Sequence, residues 1–178
     1  MEDTLRSGLL SVVLPSYNEE ASIPRAADTI TAILIDADIP HELVFVDDGS
    51  RDRTWTVIQE QAGRHPQVRG VRFSRNFGKE AAIFAGLAQA RGDCTLVMDC
   101  DLQHPPEKAV EMYRLWQEGY QVVEGVKASR GKENPLHTFA AKSFYSIISR
   151  ATGIDMSRAS DFKLLDRRAV DTLLAMRE

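Results

Sequence analysis

Three oxygen-bearing side chains stand at alternate positions directly after an apolar run in the middle of the chain. They are Asp99, Asp101 and Gln103, and the run before them is Leu-Val-Met at 96–98. If the backbone stays extended, alternate side chains point the same way, so three oxygen donors converge at the end of a strand. Oxygen ligands suit Mg²⁺ or Mn²⁺, whose remaining coordination commonly comes from substrate phosphates. The pattern therefore predicts a divalent-metal site.

The composition is typical of a soluble globular protein. The chain has 178 residues, of which 43% are hydrophobic and 27% charged, and we expect a single domain over 1–178. No apolar run approaches the ~20 residues of a membrane-spanning helix, and the first residues lack the basic and apolar regions of a signal peptide. Cys94 and Cys100 match no metal-ligand spacing, so we expect reduced thiols.

The charge is unevenly distributed. The whole chain carries a net charge of -4, yet residues 126–160 contain six basic and two acidic side chains. A basic segment beside acidic surface suggests an anionic ligand or an anionic membrane face, although a solvated helix and loop would have the same composition.

Short β-rich apolar runs alternate with longer segments of helical spacing. The predicted strands are 9–14, 43–46, 68–73, 95–98 and 121–126, and the predicted helices are 21–36, 52–64 after a Ser50 cap, 77–90 after an Asn76 cap, and 107–118. Alternating strands and helices predict an α/β fold with a mainly parallel sheet flanked by helices. Ligands of such folds bind at the carboxyl ends of the strands.

Further polar residues follow the first and second predicted strands. Gly49 and Ser50 suit a turn and a helix cap, but neither role requires the adjacent acids Asp47 and Asp48. A carboxylate at a strand end can accept a hydrogen bond from a base N–H or a ribose hydroxyl. In the first loop, an exposed aromatic ring beside an acid would form a face for a nucleoside, although the ring could equally pack on the fold.

Phosphate recognition must have a source other than a glycine-rich loop. The sequence contains neither Gly-x-Gly-x-x-Gly nor Gly-x-x-x-x-Gly-Lys. A metal ion held after the fourth strand could bridge a diphosphate and stabilise the charge of a leaving group. This separates the chain from P-loop NTPases and Rossmann dehydrogenases.

Five motifs together resemble a known family. They lie at 13–20 (VLPSYNEE), 46–52 (VDDGSRD), 73–80 (FSRNFGKE), 98–107 (MDCDLQHPPE) and 160–167 (SDFKLLDR). The first two resemble inverting glycosyltransferases of family 2, which have a GT-A, Rossmann-like nucleotide-sugar-binding fold. The last three point more narrowly to the polyprenyl-phosphate glycosyltransferases, the group of dolichol-phosphate mannose synthase and the bacterial undecaprenyl-phosphate transferases.

The resemblance implies roles for individual residues. The nucleotide-sugar set is Pro15, Tyr17, Glu19, Val46, Asp48, Asp99, Cys100 and Lys127. The metal set is Asp99, Asp101 and Gln103; the acceptor-phosphate set is Arg130 and Lys132; the catalytic set is Asp101, Asp161, Lys127 and Arg130. Lys127 stands where the family often has Arg, which keeps the charge but loses a bidentate donor. Asp161 could orient the sugar or the nearby cations, or remove a proton, and the sequence leaves these roles open.

The resemblance also implies an activity. A sugar would pass from a UDP- or GDP-linked donor to a polyprenyl phosphate, with Mg²⁺ or Mn²⁺, at the cytoplasmic side of a membrane, the bacterial inner membrane in particular. We expect a membrane surface as a partner and no nucleic acid, and the sequence leaves open whether the chain forms a homo-oligomer. Residues 136–152 would form an amphipathic helix at the membrane interface, and the transmembrane helices common in the family would lie beyond this chain.

Two alternatives remain open at this point. A family 2 enzyme with a sugar-hydroxyl acceptor would share the nucleotide-sugar and metal sites. It would also need a catalytic base to take the proton of the hydroxyl. From another class, a noncatalytic nucleotide-binding domain or a phosphoacceptor receiver domain could also place acids at strand ends.

Overall fold

The computed structural model describes residues 5–125 and 161–176. The strands in these two stretches are β1 (Leu10–Ser16), β2 (His41–Asp47), β3 (Val68–Arg72), β4 (Cys94–Val97), β5 (Val122–Glu124) and β6 (Lys163–Asp166). The helices are α1 (Ile23–Asp36), α2 (Thr54–Arg64), α3 (Lys79–Gln89), α4 (Lys108–Gln117) and α5 (Arg167–Ala175). The five predicted strands and the four predicted helices are all present, and no end differs from its predicted position by more than two residues.

The strands form one sheet in the order β3-β2-β1-β4-β6-β5. β1 pairs in parallel with β2 and β4, and β2 pairs in parallel with β3. β6 runs antiparallel to both of its neighbours, β4 and β5. The predicted α/β class with a mainly parallel sheet is confirmed, but the reversed strand β6 was not predicted.

The core lies on both faces of the sheet. One apolar cluster packs α1, α2 and α4 against the sheet through side chains such as Leu34, Ile58 and Trp116. A second cluster packs α3 and α5 against the opposite face through Leu87 and Leu173. Every residue of β1 is buried, as expected for a central strand covered by helices on both sides. No helix in the described ranges is both long and apolar enough to cross a bilayer.

Two predicted helix caps are wrong. α2 begins at Thr54, four residues after Ser50, whose hydroxyl accepts the backbone N–H of Asn18 instead. α3 begins at Lys79 and is preceded by Gly78 with φ of 98°, so Asn76 lies outside the helix. In the first case the hydroxyl that would cap the helix forms a contact between loops, which competes with capping, and in the second the N–H groups of Phe77 and Gly78 donate to Asp48.

Candidate active site

Four segments meet at the carboxyl edge of the sheet. β1 and β2 end in register, with Ser16 opposite Asp47. β4 ends at Val97, whose partner on the reversed strand β6 is Lys163. Because β6 begins where β4 ends, the segment that enters β6 reaches this edge from the opposite direction. The antiparallel strand thereby brings Asp161 to the residues that follow β4.

A lysine joins the acids from these segments. The Nζ atom of Lys79 lies 2.7 Å from Oδ1 of Asp99 and 2.7 Å from Oδ2 of Asp161. All three side chains are about one-third exposed, at 38%, 35% and 33%. The three residues come from the start of α3, the end of β4 and the segment before β6. This partly exposed cluster lies at the edge where ligands of parallel sheets bind.

The protonation of Lys79 follows from its partners. Burial alone lowers the pKa of Lys79, but the charges of Asp99 and Asp161 and their hydrogen bonds to Nζ raise it, and the net pKa lies above the ordinary value. Lys79 is therefore an ammonium at neutral pH. The protein's own side chain thus supplies a positive charge between two carboxylates.

The backbone after β4 differs from the sequence expectation. The extended conformation ends at Val97, residues 100 and 101 form a turn, and Leu102 has φ of 57°. Oδ1 of Asp101 accepts the backbone N–H of Gln103 at 3.0 Å, which tightens this turn. The prediction that Asp99, Asp101 and Gln103 point the same way along an extended strand is wrong in this respect, because the segment is curved.

The predicted metal set can still be tested by its donors. Asp99 is half-buried, whereas Asp101 and Gln103 are exposed, and together they offer two carboxylates and one amide oxygen. No three His, Cys, Asp or Glu side chains come together as a metal-binding group within residues 5–125 and 161–176. The oxygen donors fit a hard cation that takes several ligands from water or a phosphate-bearing substrate. The metal site therefore stays a prediction. The oxygen atoms of the three predicted ligands are of a type that fits it.

The loop after β1 is tied to the loop after β2. Backbone N–H groups of Asn18 and Glu19 donate to the hydroxyls of Ser50 and Thr54, at 2.9 and 2.8 Å. In return, the side-chain oxygen of Asn18 accepts the N–H of Arg51 at 2.9 Å. These contacts link residues about 33 positions apart in sequence and hold the first loop on the second.

The adjacent acids at the end of β2 both have partners inside the protein. Oδ1 of Asp47 accepts the N–H of Ser50 at 2.9 Å, and Oδ2 lies 3.4 Å from Nε of Arg72. Asp48 is 3% exposed, and its two oxygens accept the N–H groups of Phe77 at 2.7 Å and Gly78 at 3.0 Å. The fold therefore supplies partners for both acids, and Asp48 anchors the backbone immediately before Lys79.

The predicted nucleoside residues fall into two groups. Tyr17 is 41% exposed and Glu19 is half-buried, so both can reach a ligand. Pro15, Val46 and Cys100 are buried, which leaves mainly their backbone atoms for such a contact.

The thiol of Cys100 packs between Oγ of Ser16 at 3.1 Å and the carbonyl oxygen of Pro15 at 3.5 Å. Burial raises its pKa to about 12, so it is a neutral group inside the fold. It also has no disulfide partner, and neither does the other buried cysteine, Cys94, so the expectation of free thiols fits the structure.

Some predicted residues lie outside the described part of the chain. Lys127, Arg130 and Lys132, with the segment 136–152, fall between the two described stretches. Their predicted roles at the phosphates and at a membrane remain predictions from the sequence.

Lys79 has no role predicted from the sequence. It stands inside the motif at 73–80, which carried only the family resemblance. Its pairing with Asp161 depends on the reversed strand β6, and the four-residue run at 163–166 gave no clear strand signal. A lysine at the start of a helix after a carboxyl-edge loop could have been noted as a candidate, but its partners could not.

Comparisons with known proteins identify the fold and the family of the chain. The model of the family described as Glycosyl transferase family 2 matches residues 11–174. Solved structures with the same fold include the mannosyltransferase PcManGT from Pyrobaculum calidifontis in complex with GDP-Man and Mn²⁺. That likeness has a TM-score of 0.62 at 20% identity and covers 94% of this chain and 47% of that one. The fold is that of the GT-A glycosyltransferases.

The chain belongs to glycosyltransferase family 2. It is 38% identical over 169 residues to the glycosyltransferase YkcC of Bacillus subtilis (strain 168), covering 94% of this chain and 52% of YkcC. It is 37% identical over 172 residues to the undecaprenyl-phosphate 4-deoxy-4-formamido-L-arabinose transferase of Pseudomonas aeruginosa (strain LESB58), covering 96% of this chain and 50% of that protein. The chain therefore spans about half the length of the curated relatives it matches. These similarities confirm the predicted resemblance to polyprenyl-phosphate glycosyltransferases.

Proposed function

We propose that this chain is the catalytic domain of an inverting glycosyltransferase that moves a sugar from a nucleotide diphosphate to a polyprenyl phosphate. The observation that carries the proposal is the meeting of Asp99 and Asp161 on Lys79 at the carboxyl edge of the sheet. Family membership and the similarity to an undecaprenyl-phosphate transferase support it. The reaction would take place at the cytoplasmic face of a membrane, where the lipid acceptor is presented.

The donor nucleoside would lie against the loop after β1. Tyr17 offers an exposed ring for stacking, and Glu19 offers a carboxylate for a ribose hydroxyl. Both residues belong to a loop that backbone hydrogen bonds to Ser50 and Thr54 hold in place. A face that is already ordered loses less conformational entropy when it binds a ligand.

The diphosphate would lie beside the residues that follow β4. Asp99, Asp101 and Gln103 would hold Mg²⁺ or Mn²⁺, which would neutralise the diphosphate and stabilise the nucleotide as it leaves. Lys79 adds a positive charge from this chain at the same place. The protein would thus supply cationic charge where negative charge develops in the transition state.

The acceptor would need little help from a base. A phosphate monoester has a second pKa of about 6, so its oxygen is largely deprotonated at neutral pH. That oxygen would attack the anomeric carbon as the bond from this carbon to the diphosphate breaks on the opposite face, which inverts the configuration. Arg130 and Lys132, with Lys127, would bring the acceptor dianion to the site by neutralising its charge.

The state of Asp161 favours the phosphate acceptor over a sugar hydroxyl. A hydroxyl nucleophile needs a carboxylate within reach that is free to take its proton. Oδ2 of Asp161 accepts instead from the ammonium of Lys79 at 2.7 Å, which makes this oxygen less available for a proton. We therefore assign Asp161 an orienting role, and the enzyme with a hydroxyl acceptor is the second candidate.

The proposal is tested by incubating the 178-residue chain with UDP- and GDP-sugars, undecaprenyl phosphate and Mg²⁺ or Mn²⁺. Glycosyl-lipid formation is then measured for the parent and two variants. Asp101→Asn should lower turnover by roughly a hundredfold or more, because charge stabilisation by a metal is worth several kcal/mol. Arg130→Ala should mainly raise the KM for the lipid phosphate.

Asp36→Asn is the control, since Asp36 is an exposed acid at the end of α1 and should leave turnover unchanged. Circular dichroism should show the parent fold in all variants. Equal activity of Asp101→Asn and Arg130→Ala would contradict the assigned roles. A parallel incubation replaces the lipid with free sugars as acceptors, and transfer to a free sugar with none to the lipid would favour the second candidate.

A further inference from the structure

The ammonium of Lys79 lies between two carboxylates. It lies 2.7 Å from an oxygen of Asp99 and 2.7 Å from an oxygen of Asp161. Asp99 is also a member of the predicted metal set. A divalent cation bound to Asp99 would therefore be close to a positive charge that already neutralises this carboxylate.

The base of the lysine side chain is fixed, whereas its end can move. The backbone N–H groups of Phe77 and Gly78, immediately before Lys79, donate to the buried carboxylate of Asp48. Lys79 itself begins α3. Its four-carbon stem carries the charge on a flexible arm that is 38% exposed, so Nζ can change partners while the backbone stays in place.

We propose that Lys79 is a displaceable counter-ion of the site that binds the nucleotide-sugar donor. Its ammonium weakens the binding of a bare divalent cation, and it turns to the diphosphate when cation and nucleotide bind together. This inference rests on the proposed function, because it concerns the same donor site. In the free protein the lysine stabilises the facing carboxylates. In the loaded protein it becomes a ligand of the phosphate oxygens.

The electrostatic reason is the sign of the added charge. A bare cation brings two positive charges next to the ammonium, and like charges a few ångströms apart repel. A cation that arrives with a nucleoside diphosphate brings negative oxygens that both positive groups can contact. Lys79 therefore makes cation and nucleotide binding cooperative, and such coupling is the same whichever ligand binds first.

The test measures binding rather than transfer. Mn²⁺ is titrated into the 178-residue chain and its Lys79→Met variant by isothermal titration calorimetry, and free Mn²⁺ is followed by electron paramagnetic resonance. Each titration is run alone and with saturating UDP or GDP. Lys79→Met should bind Mn²⁺ alone about tenfold more tightly, because one nearby positive charge is gone. The factor by which nucleotide strengthens Mn²⁺ binding should fall by a similar amount.

Two further variants test whether the effect comes from the positive charge at position 79. They separate it from the loss of a positive charge elsewhere and from altered packing of the side chain. Lys79→Arg keeps the charge and should bind Mn²⁺ alone as the parent does. Arg168→Met also removes one positive charge beside a carboxylate, since Nε of Arg168 lies 3.2 Å from Asp166. Asp166 pairs with Cys94 at the other end of β4, away from Asp99, so this variant should leave Mn²⁺ binding unchanged.

The outcomes distinguish the inference from the proposed function. Tighter Mn²⁺ binding in Lys79→Met, with no sugar transfer by the parent, would support the inference and contradict the proposed function. Sugar transfer by the parent with unchanged or weaker Mn²⁺ binding in Lys79→Met would overturn the inference alone. The inference is also overturned if Arg168→Met has the same effect as Lys79→Met, or if neither the parent nor Lys79→Met binds Mn²⁺.

Discussion

Asp48 and Asp99 follow the two strands that flank β1, yet their carboxylates have different kinds of partner. Asp48 is buried and accepts two backbone N–H groups, whose positions the fold determines. Asp99 is half-buried and pairs with the end of a flexible lysine. A carboxylate bound by backbone amides is difficult to release, whereas one bound by an ammonium can exchange it for another cation. We infer that Asp48 supports the site and that Asp99 takes part in binding.

Replacement of Asp48 should therefore mainly lower the free energy of unfolding, with a smaller effect on the reaction itself. In Asp48→Ala two backbone amides lose a buried charged acceptor, and we expect the free energy of unfolding to fall by about 2–3 kcal/mol. Urea denaturation followed by circular dichroism measures this change. The exposed Asp36→Ala serves as a control and should change the unfolding free energy by less than about 0.5 kcal/mol. A parent-like stability for Asp48→Ala would show that the loop before α3 does not depend on this carboxylate.

The sequence was sufficient to place the individual acids at the carboxyl edge but not to pair them. Asp99 and Asp101 follow an apolar strand, and the end of a strand is a local property. The contact of Lys79 with Asp161 joins residues 82 positions apart, and it requires β6 to enter the sheet beside β4 in the reverse direction. Neither apolar periodicity nor motif spacing determines that order. The turn at 100–103 was missed for a different reason, because the hydrogen bond that the Asp101 side chain accepts from the N–H of Gln103 competes with the extended backbone.

Helix α3 packs closely against the central strand β1 at Gly86. A Cβ atom at Gly86 would lie 2.2 Å from Cγ1 of Val13, a buried residue of β1. Glycine in a helix interior is unfavourable by itself, so its presence here is explained by packing. α3 carries Lys79 at its first residue, and its close contact with β1 fixes the position of the site lysine along the sheet.

Two glycine substitutions test this packing against helix propensity. Gly63→Ala in α2 has open space around the added methyl group, and it should raise the free energy of unfolding by about 0.5–1 kcal/mol. Gly86→Ala gains the same propensity but forces the added methyl group into Val13, and the net effect should be a loss of about 1–2 kcal/mol. Thermal and urea unfolding of both variants measures the difference. Equal stabilisation by both would mean that α3 can move away from β1 at little cost.

Across the whole molecule, one buried carboxylate connects the strands on the amino side of the sheet. Glu42 of β2 is 7% exposed; its Oε1 accepts from the hydroxyl of Ser11 at 2.6 Å and from the N–H of Arg91 at 2.8 Å. Its Oε2 accepts from Arg69 of β3 at 2.7 Å. The network thus joins β1, β2, β3 and the segment before β4. These hydrogen bonds stabilise the arrangement of the central strands. The candidate active site lies at the opposite, carboxyl end of the same strands.

This network should give the stability a defined dependence on acid. Burial alone raises the pKa of Glu42, but the hydrogen bonds from Ser11 and Arg91 and the hydrogen bond and charge of Arg69 outweigh it, and the net pKa is below 4.5. Because the pKa is lower in the folded state, the stabilisation is complete above the unfolded value and is lost as the pH falls through the folded one. Urea unfolding between about pH 6 and 3.5 should therefore show a shallower decline for Glu42→Gln than for the parent. Glu60→Gln alters an exposed acid of α2 and should keep the parent slope, so equal slopes for all three proteins would assign the acid sensitivity to other carboxylates.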